Sequence, residues 1–216
     1  MKRFFKNFKH IALTLATVVI ATASINANAA ALPVANTQTS TPASSVTVMV
    51  NRAANCVTVY LMNAQGVNVP VKAMVCSVGR EGHPTPLGTF KTSDYYVWRQ
   101  LVDGSYGRYA VRFNKGILFH SVPYTKTSWD ALKWEQYNLL GQPASLGCVR
   151  LSVNDAKWIY DYVPKGSTVI VYDDALNPGP LGKPVPATIS PDSLYKTWDP
   201  TDPVLLSYLS SINNNQ

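Results

Sequence analysis

Cys148 stands in Ala144-Ser145-Leu146-Gly147-Cys148-Val149-Arg150-Leu151, just ahead of a segment with helix-start signals, and His120 closes the apolar run Gly116-Ile117-Leu118-Phe119-His120-Ser121. A cysteine at a strand-to-helix turn exposes its sulfur near backbone N–H groups, which lowers the thiol pKa and favours the nucleophilic thiolate. An imidazole at the end of a strand is the natural base for that thiol. The two residues are 28 positions apart, and sequence separation alone does not decide contact. A buried inert thiol with a hydrogen-bonded core histidine is the alternative.

Few other residues compete. Of the three histidines, His10 falls in the basic, apolar N-terminal stretch and His83 lies in the loop Glu81-Gly82-His83-Pro84, where it borders a cleft or simply faces solvent. No short ligand spacing joins His83, His120 and Cys148, so no metal is expected. Serine hydrolase chemistry lacks its G-x-S-x-G signature, and no basic run suits nucleic acid.

The elements that must position these groups are mostly strands. Val46–Val50 and Cys56–Met62 are rich in β-branched residues, and Asn63-Ala64-Gln65-Gly66 supplies a turn into Val67–Val78, completing a hairpin. Further short strands are expected at Gly88–Lys91, Tyr95–Leu101, Tyr109–Phe113, Ile117–His120 and Ser167–Tyr172. Ser152-Val153-Asn154-Asp155 has the form of a capping box, and Val153, Ala156, Ile159, Tyr160 and Val163 follow helical spacing until Pro164. Trp129–Leu140 is a weaker helical stretch.

With 216 residues, 46% of them hydrophobic, the chain can build one sizeable core but hardly two. Its net charge of +7 falls to +3 once Lys2, Arg3, Lys6 and Lys9 are set aside, so the body is only mildly basic. Those four residues, the apolar run Ile11–Ile25 and the small-residue site Ala27-Asn28-Ala29 read as a signal peptide over 1–29. The run is short for a bilayer span, and membrane attachment would come only through an uncleaved signal. Residues 30–45 read as a disordered linker, 46–174 as the folded domain, and 175–216 as a Pro-rich extension whose Trp198, Val204, Leu205, Leu206 and Tyr208 suit docking. Export favours thiol pairing. Cys56 and Cys76 flank the hairpin and are the disulfide candidates, with three unpaired thiols as the alternative.

Three blocks, Thr85-Pro86-Leu87-Gly88-Thr89-Phe90, Phe119-His120-Ser121 and Ser145-Leu146-Gly147-Cys148-Val149-Arg150-Leu151, occur in the order found in the YkuD-type L,D-transpeptidase catalytic domain, which the chain resembles over roughly Val46 to Asp173. The resemblance implies a mostly β domain, a β-sandwich or barrel with one or two short helices. It also implies a cofactor-free, secreted enzyme of the cell wall or periplasm, expected as a monomer, whose partners are peptidoglycan stem peptides. Cys148 would attack the carbonyl at the L-centre of a diamino acid, D-Ala would leave, and an amine on a neighbouring stem would give a 3→3 cross-link. A cysteine carboxypeptidase or endopeptidase of the same fold and an inactive wall-binding module are the alternatives.

The same chemistry assigns His120 as base and Ser121 as the group orienting its ring. Backbone N–H groups of Gly147 and Cys148 are assigned to the oxyanion hole. Arg150 either anchors a substrate carboxylate or braces its loop. Tyr124 matches an aromatic position that lines the donor site in similar enzymes, or is a plain surface aromatic. The family often has His where Leu146 stands, and the segment between His120 and Cys148 is longer than usual. Its residues 126–140 form a lid or thicken the wall.

Overall fold

The computed structural model describes residues 46–213; the expected signal peptide and linker lie outside them. Alternating β-branched residues form strands much as their patterning dictates: β1 (Val46–Asn51), β2 (Cys56–Met62), β3 (Asn68–Val75), β4 (Gly88–Lys91), β5 (Tyr95–Gln100), β6 (Tyr106–Asn114), β7 (Ile117–Ser121), β8 (Val149–Leu151) and β9 (Thr168–Tyr172). Three helices accompany them: α1 (Trp134–Tyr137), α2 (Val153–Tyr162) and α3 (Pro203–Asn213). The chain is mostly β, and its third helix, in the tail, exceeds the one or two expected.

One sheet runs β3-β2-β1-β9-β4 and the other β5-β6-β7-β8. Val48, Val50, Val57 and Val59 of the first meet Val111, Phe119, Val149 and Leu151 of the second in one buried cluster. Burying each such side chain stabilises the fold by about 1.5–3 kcal/mol. Helix α2 closes this core with Ala156 and Ile159. Ser152 caps it by accepting from the Asp155 N–H at 3.2 Å. The Asp155 carboxylate pairs with Lys72 at 2.9 Å instead of completing the capping box.

The segment 126–140 is a wall. Ala131, Leu132, Tyr137 and Leu140 are buried in a second cluster with Val122, Tyr124, Val153 and Ile189. Four buried apolar anchors, three of them large, are incompatible with a lid that swings freely.

The extension after Asp174 wraps the domain. Asn138 and Ile189 exchange two hydrogen bonds at 2.8 Å, and the Leu132 N–H donates to the Thr197 carbonyl at 2.8 Å. The Asp199 carboxylate accepts from the Val153 N–H at 2.8 Å, satisfying an otherwise orphaned donor at the start of α2. Asp202 forms a buried ion pair with Arg108 at 2.5 Å. No helix among the described residues is long and apolar enough to cross a membrane.

The expected Cys56–Cys76 disulfide is not formed; both are free and buried. Register explains this. Cys56 lies opposite Val75 and Val57 opposite Met74, so Met74, Cys76 and Val57 turn to the core side, where all three are found. Cys56 goes with the other set, its Sγ 3.7 Å from the Gly182 carbonyl of the extension. Side chains one residue out of phase point to opposite sheet faces.

Candidate active site

Strands β7 and β8 run parallel, with Phe119 opposite Val149, His120 opposite Arg150 and Ser121 opposite Leu151. Alternation sends Phe119, Val149 and Leu151 into the core. It therefore sends His120, Arg150 and Cys148, two residues before Arg150, to the other face. There all three line one cavity of about 290 Å³. Leu101, Val102 and Asp103 from the β5–β6 connection, Gly116 from the β6–β7 turn and Ile117 and Leu118 at the start of β7 complete the lining.

His120 is buried, and its Nδ1 lies 2.6 Å from the Ser121 carbonyl oxygen. A carbonyl only accepts, so Nδ1 carries the hydrogen and Nε2 keeps its lone pair. The Ser121 carbonyl is the orienting group, whereas its hydroxyl donates to the Val122 carbonyl and accepts from the Arg108 N–H. Burial, with the nearby Arg150 charge adding to it, pulls the imidazole down to about 4. The ring is thus neutral near neutral pH, with the Nε2 lone pair free to accept.

Cys148 is a free, partly exposed thiol. Burial pushes its pKa up, against the Leu118 backbone N–H and the charges of Arg150 and Arg112. The expectation of a lowered pKa is corrected: the desolvation of the cavity outweighs the favourable dipoles. At rest the cavity holds a protonated thiol, its Sγ 3.8 Å from the Gly116 carbonyl oxygen, together with a neutral imidazole.

The loop carrying the cysteine is tightly tied. Gly147 has φ +115°, and a Cβ there would lie 3.0 Å from Ile117 Cδ1, so glycine suits both backbone and space. Ser145 Oγ donates to the Cys148 carbonyl at 2.5 Å and accepts from the Gly147 N–H at 3.1 Å. That bond corrects the expected oxyanion hole, because the Gly147 donor is already engaged. Thr85, fully buried, donates to the Gly147 carbonyl at 2.8 Å and accepts from the Gly79 N–H at 2.9 Å. The Thr85-Pro86 block thus buttresses the loop that carries Cys148. His83 is exposed, but its carbonyl packs against Gly79, whose own Cβ would fall 2.0 Å from that oxygen.

Arg150 braces the loop and borders the cavity at once. Its Nη1 donates to Gln136 Oε1 at 2.7 Å and to the Ala144 carbonyl at 3.0 Å, while its buried Nε has no partner among the described residues. Tyr124 does not line the site. It is 0% exposed, stacked edge-on against Trp98 at 5.2 Å between ring centres. Bridges from residue 124 to Tyr106 and to Leu132 hold it inside the second core cluster, which removes its expected role in binding. Leu146, where a second histidine was absent from the motif, lines the cavity with Cys148.

Sequence reasoning missed Gly107. A Cβ there would stand 2.8 Å from Cγ and Nδ1 of His120, so the imidazole is seated against bare backbone. No local motif surrounds this glycine, and only the packing of the His120 ring against β6 reveals it.

Comparison with known proteins follows the same lines. The sequence model of the family described as L,D-transpeptidase catalytic domain (YkuD) matches residues 45–171. The chain is 34% identical over 91 residues to a protein of Bacillus subtilis (strain 168) named "Putative L,D-transpeptidase YciB", covering 40% of this chain and 46% of that one. It thus spans about half the length of that relative. Among solved structures, an L,D-transpeptidase from Mycobacterium smegmatis is similar at TM-score 0.49 and 24% identity, over 60% of this chain and 59% of that one. An L,D-transpeptidase from Mycobacterium tuberculosis H37Rv is similar at TM-score 0.47 and 28% identity, over 60% and 58%.

Proposed function

The chain belongs to the YkuD family of L,D-transpeptidase catalytic domains, and from that premise we propose that it is an exported cysteine acyltransferase that forms 3→3 cross-links between peptidoglycan stem peptides. The observation that carries this reading is the placement of Cys148 and His120 on one face of the β7–β8 pair, in one cavity, with Nδ1 of the imidazole held by the Ser121 carbonyl.

In the first half-reaction His120 Nε2 takes the Cys148 proton as Sγ bonds to the carbonyl carbon at the diamino acid's L-centre. The negative charge on the former carbonyl oxygen is met by the Cys148 backbone N–H, the donor left once Gly147 is engaged with Ser145. Collapse breaks the bond to the D-Ala nitrogen, which receives the proton from His120, and a thioester remains. In the second half an acceptor amine attacks that thioester, His120 removes the amine's proton, and the carbon–sulfur bond breaks to return it to Cys148. Arg150, cationic and facing the same cavity, is placed to hold a substrate carboxylate. Export to the wall rests on the basic and apolar N-terminal stretch of the sequence.

The test is incubation of the purified protein with a stem tetrapeptide and an amine-bearing acceptor stem, followed by mass spectrometry. A cross-linked dimer with release of D-Ala is expected, lost in Cys148→Ala and in His120→Ala. Truncated monomer alone would assign hydrolysis in place of transfer, and an unchanged tetrapeptide would overturn the enzyme.

A further inference from the structure

A second cavity, of about 280 Å³, adjoins the first and shares Asp103, Leu146 and Arg150 with it. Its remaining polar lining comes from Arg80, Lys133 and Gln136. Lys133 immediately precedes α1 and Gln136 lies on it. The i,i+3 spacing puts both on one side of that single turn, and the packed segment 126–140 fixes them there.

The charges in this cavity do not balance. Three cations, Arg80, Lys133 and Arg150, face one carboxylate, Asp103, which is shared between Ser105 and a long ion pair to Lys133 and leaves a surplus of two positive charges. Asp103 Oδ1 accepts from the Ser105 N–H at 3.1 Å and the Ser105 hydroxyl at 2.5 Å, and Oδ2 is 4.0 Å from Lys133 Nζ. Arg150 is 93% buried, since only 7% is exposed, yet its Nε has no hydrogen-bond partner among the described residues. An unpaired buried guanidinium donor beside two further cations is a costly arrangement that an anion relieves.

We infer that this second cavity is a carboxylate-binding subsite, in which Lys133 and Arg80 join Arg150 to hold a free carboxylate of the stem peptide while its scissile carbonyl lies at Cys148. The assignment of the ligand as a stem peptide rests on the transpeptidase reading; the preference for a carboxylate rests on the charges alone. Two carboxylates of such a peptide have the required chemistry, the C-terminal one and a side-chain one. Lys133 is the specificity-determining member, because it comes from the long segment between the base and the nucleophile.

Binding, measured without turnover, tests this separately from catalysis. In the Cys148→Ala full chain, calorimetry compares a stem tetrapeptide with its C-terminal carboxamide and its side-chain carboxamide. One carboxamide is expected to bind at least about tenfold more weakly, as loss of a charge-assisted contact dictates, and it identifies the carboxylate. Adding Lys133→Glu is expected to abolish the preference for the acid, and Lys133→Arg to retain it. Equal affinity for all three peptides, no binding, or a preference untouched by Lys133→Glu would overturn the subsite. Circular dichroism melts confirm that each variant is folded. Failure of the wild-type protein to turn over the tetrapeptide would strike the transpeptidase reading and leave a measured carboxylate preference standing.

Discussion

Gly107 of β6 lies directly beneath the imidazole of His120, so close that a single methyl at position 107 would sit 2.8 Å from Nδ1. The ring cannot retreat from such a methyl without leaving the Ser121 carbonyl, 2.6 Å from that nitrogen. Gly107→Ala is therefore expected to cost about 1–3 kcal/mol of stability through overpacking and to lower kcat by roughly tenfold or more through misplacement of the base. Chemical denaturation and steady-state kinetics measure the two effects. Wild-type turnover in this variant would show that the seat of the ring is irrelevant to catalysis.

A second expectation concerns pH. Activity should fall on the acid side through the His120 pKa of about 4, since the protonated ring cannot accept the Cys148 proton. Between pH 4 and 6 the two largest shifts, those of His120 and Asp199, act on stability with opposite sign. His120 titrates lower in the fold than its ordinary 6.5, so the unfolded chain binds more protons between those values and stability declines as pH falls through them. Asp199 is raised by burial from 3.8 to about 6, so the folded chain holds the extra proton there and stability declines as pH rises. Between pH 4 and 6 the two largely offset. The acid limb of kcat/KM should thus occur with little change in Tm, and a parallel collapse of both would assign the limb to unfolding.

The clasp between Asp202 of the extension and Arg108 of β6 is 2.5 Å long, with side-chain exposures of 2% and 9%. Asp202→Asn leaves a buried guanidinium without its counter-charge and should cost about 3–5 kcal/mol. Pairing it with Arg108→Met should recover a substantial part of that loss, because the unpaired charge is then gone. Urea titration of the single and double variants decides the matter; equal losses in both would mean that packing, not charge, governs this contact.

Free thiols give a fourth check. Unfolding in denaturant without reductant should expose three reactive thiols per chain, Cys56, Cys76 and Cys148, and reductant should leave Tm unchanged. A mass increase of only one label per chain would restore the bridge that the β2–β3 register argues against.

Much of the fold was readable because its cause is local. Alternation at Val46, Val48 and Val50 marks β1 whatever lies opposite, and Ser152 caps α2 through an N–H three residues away. Strand β8 escaped because three residues, Val149–Leu151, carry too little pattern, and α3 escaped because a helix without charged residues in a Pro-rich tail reads as an apolar cluster. Of the two readings left open for 126–140, the wall prevails over the lid because Tyr137 and Leu140 find partners in Val153 and Ile189, which no local pattern links to them.

The sequence by itself singled out the candidate reactive groups: a thiol at 148, an imidazole at 120 and a glycine at 147 that the turn requires, all carried by short contiguous blocks. Tertiary structure alone decided their state and surroundings. Burial made the imidazole neutral and held the thiol protonated, the pleat parity of β2 and β3 kept Cys56 from Cys76, and two bridges drew Tyr124 into the core. It also brought Arg80, Asp103, Lys133 and Arg150 around one cavity. The reason is physical: residue type sets intrinsic reactivity, whereas desolvation, register and proximity belong to pairs of residues distant in the chain.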